Sequence, residues 1–208
     1  MAVVAGCFVL GLSAGWLSPA KRIDNYAYDE LSGRAQPDWQ PQSVVVAIDE
    51  DTLGKKGGMS NIREIEREAI DAIALGKPVA VATDVILADA SIDPAQDDRL
   101  AESMRAVQKL ILACDIPANG RRWEDPLPLF QALAAAEPGH VERMEHPLDG
   151  VTRQIPLERI VPGARRWALS LQALAVTRGQ SILETPEDIE VGDLIIPAPR
   201  VSSRAPGG

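Results

Sequence analysis

The sequence predicts an α/β fold built on a mostly parallel sheet with flanking helices. Three observations carry this. Short all-apolar runs recur, each ending in an acidic residue. Amphipathic segments with helix-start and helix-stop residues alternate with them. Strand, helix, strand, helix, strand is the opening of a doubly wound domain, whose right-handed crossovers place the strands in one parallel sheet.

The first run, Val44-Val45-Val46-Ala47-Ile48, shows no alternation and is followed by Asp49-Glu50-Asp51. That pattern predicts a strand buried on both faces. Ser60-Asn61 then opens a helix, with Asn61 and Glu64 as a capping-box-like pair. Ile62, Ile65, Ala69, Ala72 and Ile73 share its apolar face, and Gly76 stops it. Val79-Ala80-Val81-Ala82 is the second strand, ending at Thr83-Asp84. Asp93-Pro94 starts a helix carrying Leu100, Ala101, Met104 and Val107. Leu110-Ile111-Leu112-Ala113 is the third strand, closed by Cys114-Asp115. The second half is less regular. Leu127 to Ala136 reads as a helix. Gly139-His140-Val141 and Val151 to Leu157 read as short strands joined around Asp149-Gly150, a hairpin dipeptide. Trp167 to Arg178 reads as an amphipathic helix stopped by Gly179.

Composition excludes several functions. Among 208 residues, 46% are apolar and 25% charged, as in an ordinary globular domain. The net charge of −9, from 21 Lys and Arg against 30 Asp and Glu, argues against a nucleic-acid partner, because phosphates demand clustered cations. Two cysteines and two histidines supply neither a disulfide framework nor a structural zinc or multi-His centre. No cofactor is expected, and no metal.

The two ends differ from the body. Residues 2–17 carry no charge. As a helix they span about 24 Å, less than a hydrocarbon core of about 30 Å. A signal peptide, a membrane anchor in contact with lipid, and a buried first helix all remain open on composition; an anchor over 1–19 is the expectation carried forward. Residues 198–208 are rich in Pro, Gly and Ser and are expected to be a disordered tail.

Candidate chemistry is concentrated in acids. Asp49, Asp51, Asp84 and Asp115 stand at the predicted carboxyl ends of strands, where open parallel sheets bind ligands. The first two also fit an alternative: a Mg²⁺-dependent phosphohydrolase of the haloacid-dehalogenase type, with Asp49 as nucleophile and Asp51 as general acid. A structural role competes with both, since acids at strand ends cap the following turn or helix. Gly54-Lys55-Lys56-Gly57-Gly58 lacks P-loop spacing. Cys114 and His140 read as buried structural residues.

Taken in order, several segments resemble the type-two CHASE domain, the extracytoplasmic sensor of bacterial cyclases, histidine kinases and Ser/Thr kinases. They are VVVAIDEDTL (44–53), VATDVIL (81–87), DDRLAESM (97–104) and PGHVERMEHPLDGVTRQIPL (138–157), with Tyr28-Asp29 ahead of them. The last is the most specific, and its motif positions here are His140, Asp149, Gly150 and Arg153. The resemblance implies a non-catalytic sensor over residues 20–197, on the periplasmic side of the inner membrane, for an unknown small-molecule or periplasmic ligand. It also implies that membrane spans and an output domain would follow, so the chain reads as truncated before them. A homodimer and a single copy both stay open.

Overall fold

A computed structural model describes residues 18–34, 42–117 and 120–197, together with residues 4, 6 and 7. The chain divides into two compact units. One comprises Met1–Val45 and Met144–Gln154, the other Val46–Arg143 and Ile155–Gly208.

In the first unit, helix α1 (Ser18–Arg34) carries Ile23, Tyr26 and Leu31 exposed. The same unit holds an antiparallel hairpin formed by strands β4 (Met144–Glu145) and β5 (Thr152–Gln154). The turn uses Asp149-Gly150 as predicted, but the strand opposite β5 is Met144–Glu145, not Gly139–Val141. The expected anchor lies largely outside the described residues, and the tail wholly so. Among the described residues no helix is long and apolar enough to cross a membrane.

The second unit is built on a parallel sheet in the order β1 (Val81–Thr83), β2 (Leu110–Cys114), β3 (Gly139–His140). Side chains alternate across it. Leu110 and Leu112 face α3 (Ile62–Leu75) and α4 (Pro94–Arg105), packing with Ile70, Leu100, Met104 and Phe130. Gly139, the partner of Ala113, faces the other way. There α6 (Leu169–Arg178) comes so close that a Cβ on Gly139 would lie 2.4 Å from the Leu169 Cα.

The helix ends follow local chemistry. Asp93 caps α4 by accepting from the Ala95 N–H at 3.1 Å, and Pro94 stands at its first turn. Gly179 ends α6 in the left-handed region at φ 65°, which frees the Gln180 N–H to reach the Ala175 carbonyl. The Asn61–Glu64 box does not form: Asn61 Nδ2 donates back to the Lys56 carbonyl at 2.9 Å, and Glu64 pairs with Arg67.

Three further expectations are corrected. The sheet is not extended by Val44–Ile48. That stretch lies in no strand, with Val44 and Val45 each 89% exposed. Apolarity creates a demand for burial but supplies no ladder partner, and none of the described strands pairs with it. The helix from Leu127 is a single turn, α5 (Pro128–Gln131), because the chain then bends to put the Ala135 N–H on the Leu110 carbonyl at 2.7 Å. Parallel pairing is also not general. Strands β6 (Glu158–Val161) and β7 (Ala164–Trp167) form a hairpin, and β8 (Ile182–Glu184), β9 (Asp188–Val191) and β10 (Leu194–Pro197) form an antiparallel meander. Trp167 thus ends a strand instead of starting α6. The meander buries Val191 against Leu171 and Ala175 of α6.

Candidate functional site

The carboxyl edge of the parallel sheet gathers the chemistry. Asp84 follows β1, Asp115 follows β2, and Glu142 follows β3 by two residues. Asp84 is exposed at the rim; the desolvation it does suffer and then the Asp115 charge raise its pKa. Glu142 is raised by burial and by the Asp115 carboxyl against it, with Arg159 opposing at 3.5 Å. Two of the four acids expected at strand ends, Asp84 and Asp115, therefore stand at one edge of the sheet, and no motif in the chain pointed to Glu142. Its polar surroundings arise from Asp115 at the end of β2 and Arg159 on β6, both remote from it in the chain.

Asp49 and Asp51 serve elsewhere. Asp49 caps the short helix α2 (Glu50–Lys55), accepting from the Thr52 hydroxyl at 2.7 Å and its N–H at 2.8 Å. These bonds hold its carboxyl below the usual range. Asp51 pairs with Lys55 one turn on, at 2.6 Å, exposed. Among the described residues, no group of three or more His, Cys, Asp or Glu is arranged to hold a metal ion.

His140 is the most unusual of the motif residues. It is 1% exposed, stacks on Trp123 with ring centroids 6.1 Å apart, and neither ring nitrogen has a hydrogen-bond partner. Burial, reinforced by Arg159 and opposed by Asp115, lowers its pKa to about 4, so the ring is neutral near pH 7. Cys114, its strand neighbour, is pushed up to about 12 by burial, which leaves no thiolate for nucleophilic chemistry.

A second orphaned group is buried elsewhere in the same unit. Glu66 of α3 is 3% exposed, and both carboxyl oxygens lack a hydrogen bond, as does the nearby Thr83 hydroxyl at the end of β1. Desolvation raises Glu66 to about 7. One turn earlier on the same helix, Arg63 is fully engaged. It donates to Asp97 at 2.8 Å and to the Asp89 carbonyl at 2.5 Å, while Asp97 also accepts from the Ser91 N–H.

In the other unit the remaining motif residues form a clasp. Arg153 grips Asp29 of α1 with two bonds, at 2.8 and 2.6 Å, and Asp149 at 3.0 Å. Asn25 adds a bond to Asp149 at 2.9 Å. Arg153 holds Asp149 and Asp29 ionised well below their ordinary range, and its own pKa is raised in return. Gly150 takes φ 70° at the turn, which a side chain disfavours. The motif thus ties the hairpin to the helix that follows the apolar stretch 2–17.

An open groove of about 560 Å³ lies at the opposite, amino-terminal edge of the sheet, lined by Lys109, Glu137, Gln172 and Val176 among others. Lys109 is spent on the Val176 carbonyl at 2.8 Å, and Glu137 on Arg166. The charged groups of this groove already have partners. The polar atoms that are both sealed from solvent and unpartnered lie elsewhere.

A family model, the CHASE2 domain, matches residues 3–205. The chain belongs to the CHASE2 family. CHASE2 domains are sensory modules of membrane proteins, placed outside the cytoplasm. Comparison with curated proteins and with solved structures gave no match.

Proposed function

We propose that this CHASE2 chain is the ligand-sensing input domain of a membrane-bound receptor, held on the periplasmic side of the inner membrane, and that it performs no catalysis. The family match over residues 3–205 carries this reading. A sensor needs two states with different ligand affinity and a mechanical link to the membrane segment. The ligand locus is the carboxyl edge around Asp84, Asp115, His140 and Glu142. The link is the clasp: β4 begins two residues after Glu142 in sequence, and Arg153 on β5 holds Asp29 of α1. Ligand-driven movement of the segment after β3 would be passed to α1 through that ion pair.

Location is tested by labelling. Cys114 is buried, so Cys7→Ser combined with Ser181→Cys leaves one exposed thiol on the folded body. Reaction with a membrane-impermeant maleimide in spheroplasts supports the placement. Reaction only after lysis places the body in the cytoplasm and overturns it.

A further inference from the structure

The groove at the amino-terminal edge of the parallel sheet, about 560 Å³, falls within the range of about 300–1,000 Å³ that small-molecule sites occupy. Helix α6 lines it with Gln172, Ala175, Val176 and Gly179, spaced i, i+3, i+4 and i+7 along one face. Ala175 of that stripe belongs to the core, but the stripe begins with an amide instead of a hydrocarbon. Gln172 is 8% exposed, and its side chain makes no hydrogen bond to any described residue. Glu66 and His140 are sealed from solvent; the Gln172 amide is not, so the opening it faces is the groove it lines. Packing gains nothing from such an amide, because a hydrocarbon of the same shape would fill the position with no donor or acceptor left unmatched. Only something that enters the groove can match it.

The lining also names the kind of ligand. Its charges balance, one lysine against one glutamate, and both are engaged. Lys109 donates to the Val176 carbonyl at 2.8 Å, at the negative end of the α6 dipole, and Glu137 pairs with Arg166 at 3.2 Å. A charged ligand would find no unmatched opposite charge. What remains unmatched is neutral: the amides of Gln172 and Gln180, the Ser181 hydroxyl and the Trp167 indole N–H, none of them bonded to a described residue. Amides and hydroxyls offer donors and acceptors side by side, and an alcohol hydroxyl answers either kind from a single atom. We propose that this groove binds an uncharged polyhydroxylated small molecule, a sugar, with Gln172 as the buried hydrogen-bonding anchor and Gln180, Ser181 and Trp167 around it. The site lies at the opposite edge of the sheet from the locus proposed above and does not depend on the sensor reading.

The test is thermal unfolding of the full chain in dodecylphosphocholine micelles, which carry no sugar, with glucose, galactose, mannose and ribose titrated separately from micromolar to low millimolar concentration. That range lies below the concentrations at which sugars stabilise proteins by exclusion from their surface. At least one of the four is expected to raise Tm saturably, by roughly 3–6 °C at tenfold its Kd. Gln172→Leu, which keeps the bulk and removes the amide, should abolish the rise and, without sugar, unfold no earlier than the unaltered protein. Ser181→Trp, at an exposed position, should abolish the rise by obstructing the groove. Glu102→Gln, a change at an exposed carboxylate paired with Arg105, should retain it. No rise with any of the four sugars leaves Gln172 to water and overturns the proposal. So does a rise that never saturates, or one that survives Gln172→Leu or Ser181→Trp. A Gln172→Leu protein that unfolds well before the unaltered one overturns it too, because the amide would then be holding the fold. A saturable rise with sodium acetate or propylammonium chloride, lost in Gln172→Leu, overturns the uncharged class. None of these results touches the labelling experiment, on which the sensor reading stands or falls.

Discussion

Glu66 makes the stability of this domain depend on pH in a way that one substitution isolates. Its carboxyl is buried on α3 without a hydrogen bond, and its folded pKa stands near 7 against an ordinary 4.5. The folded protein therefore binds a proton there that the unfolded chain releases above about pH 4.5. A raised folded pKa contributes stability that is fully present below the unfolded value and is lost as pH climbs through the folded one. Over roughly 2.5 pH units at about 1.4 kcal/mol each, the loss comes to about 3 kcal/mol by pH 8. Glu66→Gln keeps the shape and removes the titration. Urea unfolding of both proteins from pH 4.5 to 8 should show curves that nearly coincide at the acid end and separate until the variant is the more stable by about 3 kcal/mol. Because only the difference is read, the titrations of Asp84, Glu142 and His140 cancel. A difference that stays constant across the range would refute the claim that Glu66 is desolvated and unpaired.

His140 has the opposite sign: its folded pKa of about 4 lies below the ordinary 6.5, so its contribution is complete above pH 6.5 and is lost as pH falls toward 4. His140→Phe keeps a ring on Trp123, and its urea-unfolding curve should lack about 3 kcal/mol of that acid-side loss. Gly139→Ala should destabilise the fold by about 3 kcal/mol or more in the same assay, since the new Cβ meets Leu169 backbone atoms at 2.4 and 2.8 Å that no rotamer change can move. Arg63→Ala strands the buried Asp97 carboxylate and should cost about 3–5 kcal/mol. Asp97→Asn in the same background should recover part of that loss, read as coupling in a double-mutant cycle.

Local chemistry was enough to place β1 and β2, the bodies of α3, α4 and α6, and the Gly76 and Gly179 stops, because caps, apolar periodicity and strand-end acids act within a few residues of chain. The motif at Asp149-Gly150 was legible for the same reason: its turn needs only a glycine able to take positive φ. What the amino-acid order left open is whatever needs a distant partner. Val44–Ile48 has the composition of a buried strand, yet strand formation needs a neighbour's hydrogen bonds, and the described strands do not provide them. Asp49 became a helix cap while Asp115 met Glu142, although both acids follow apolar runs. The difference lies in what the fold brings alongside, Thr52 three residues away in one case and a residue 27 positions on in the other. Glu66 and His140 looked unremarkable as letters. Only packing removed water from them, and removing water without supplying a partner is what turns an ordinary side chain into a group with chemistry left to do.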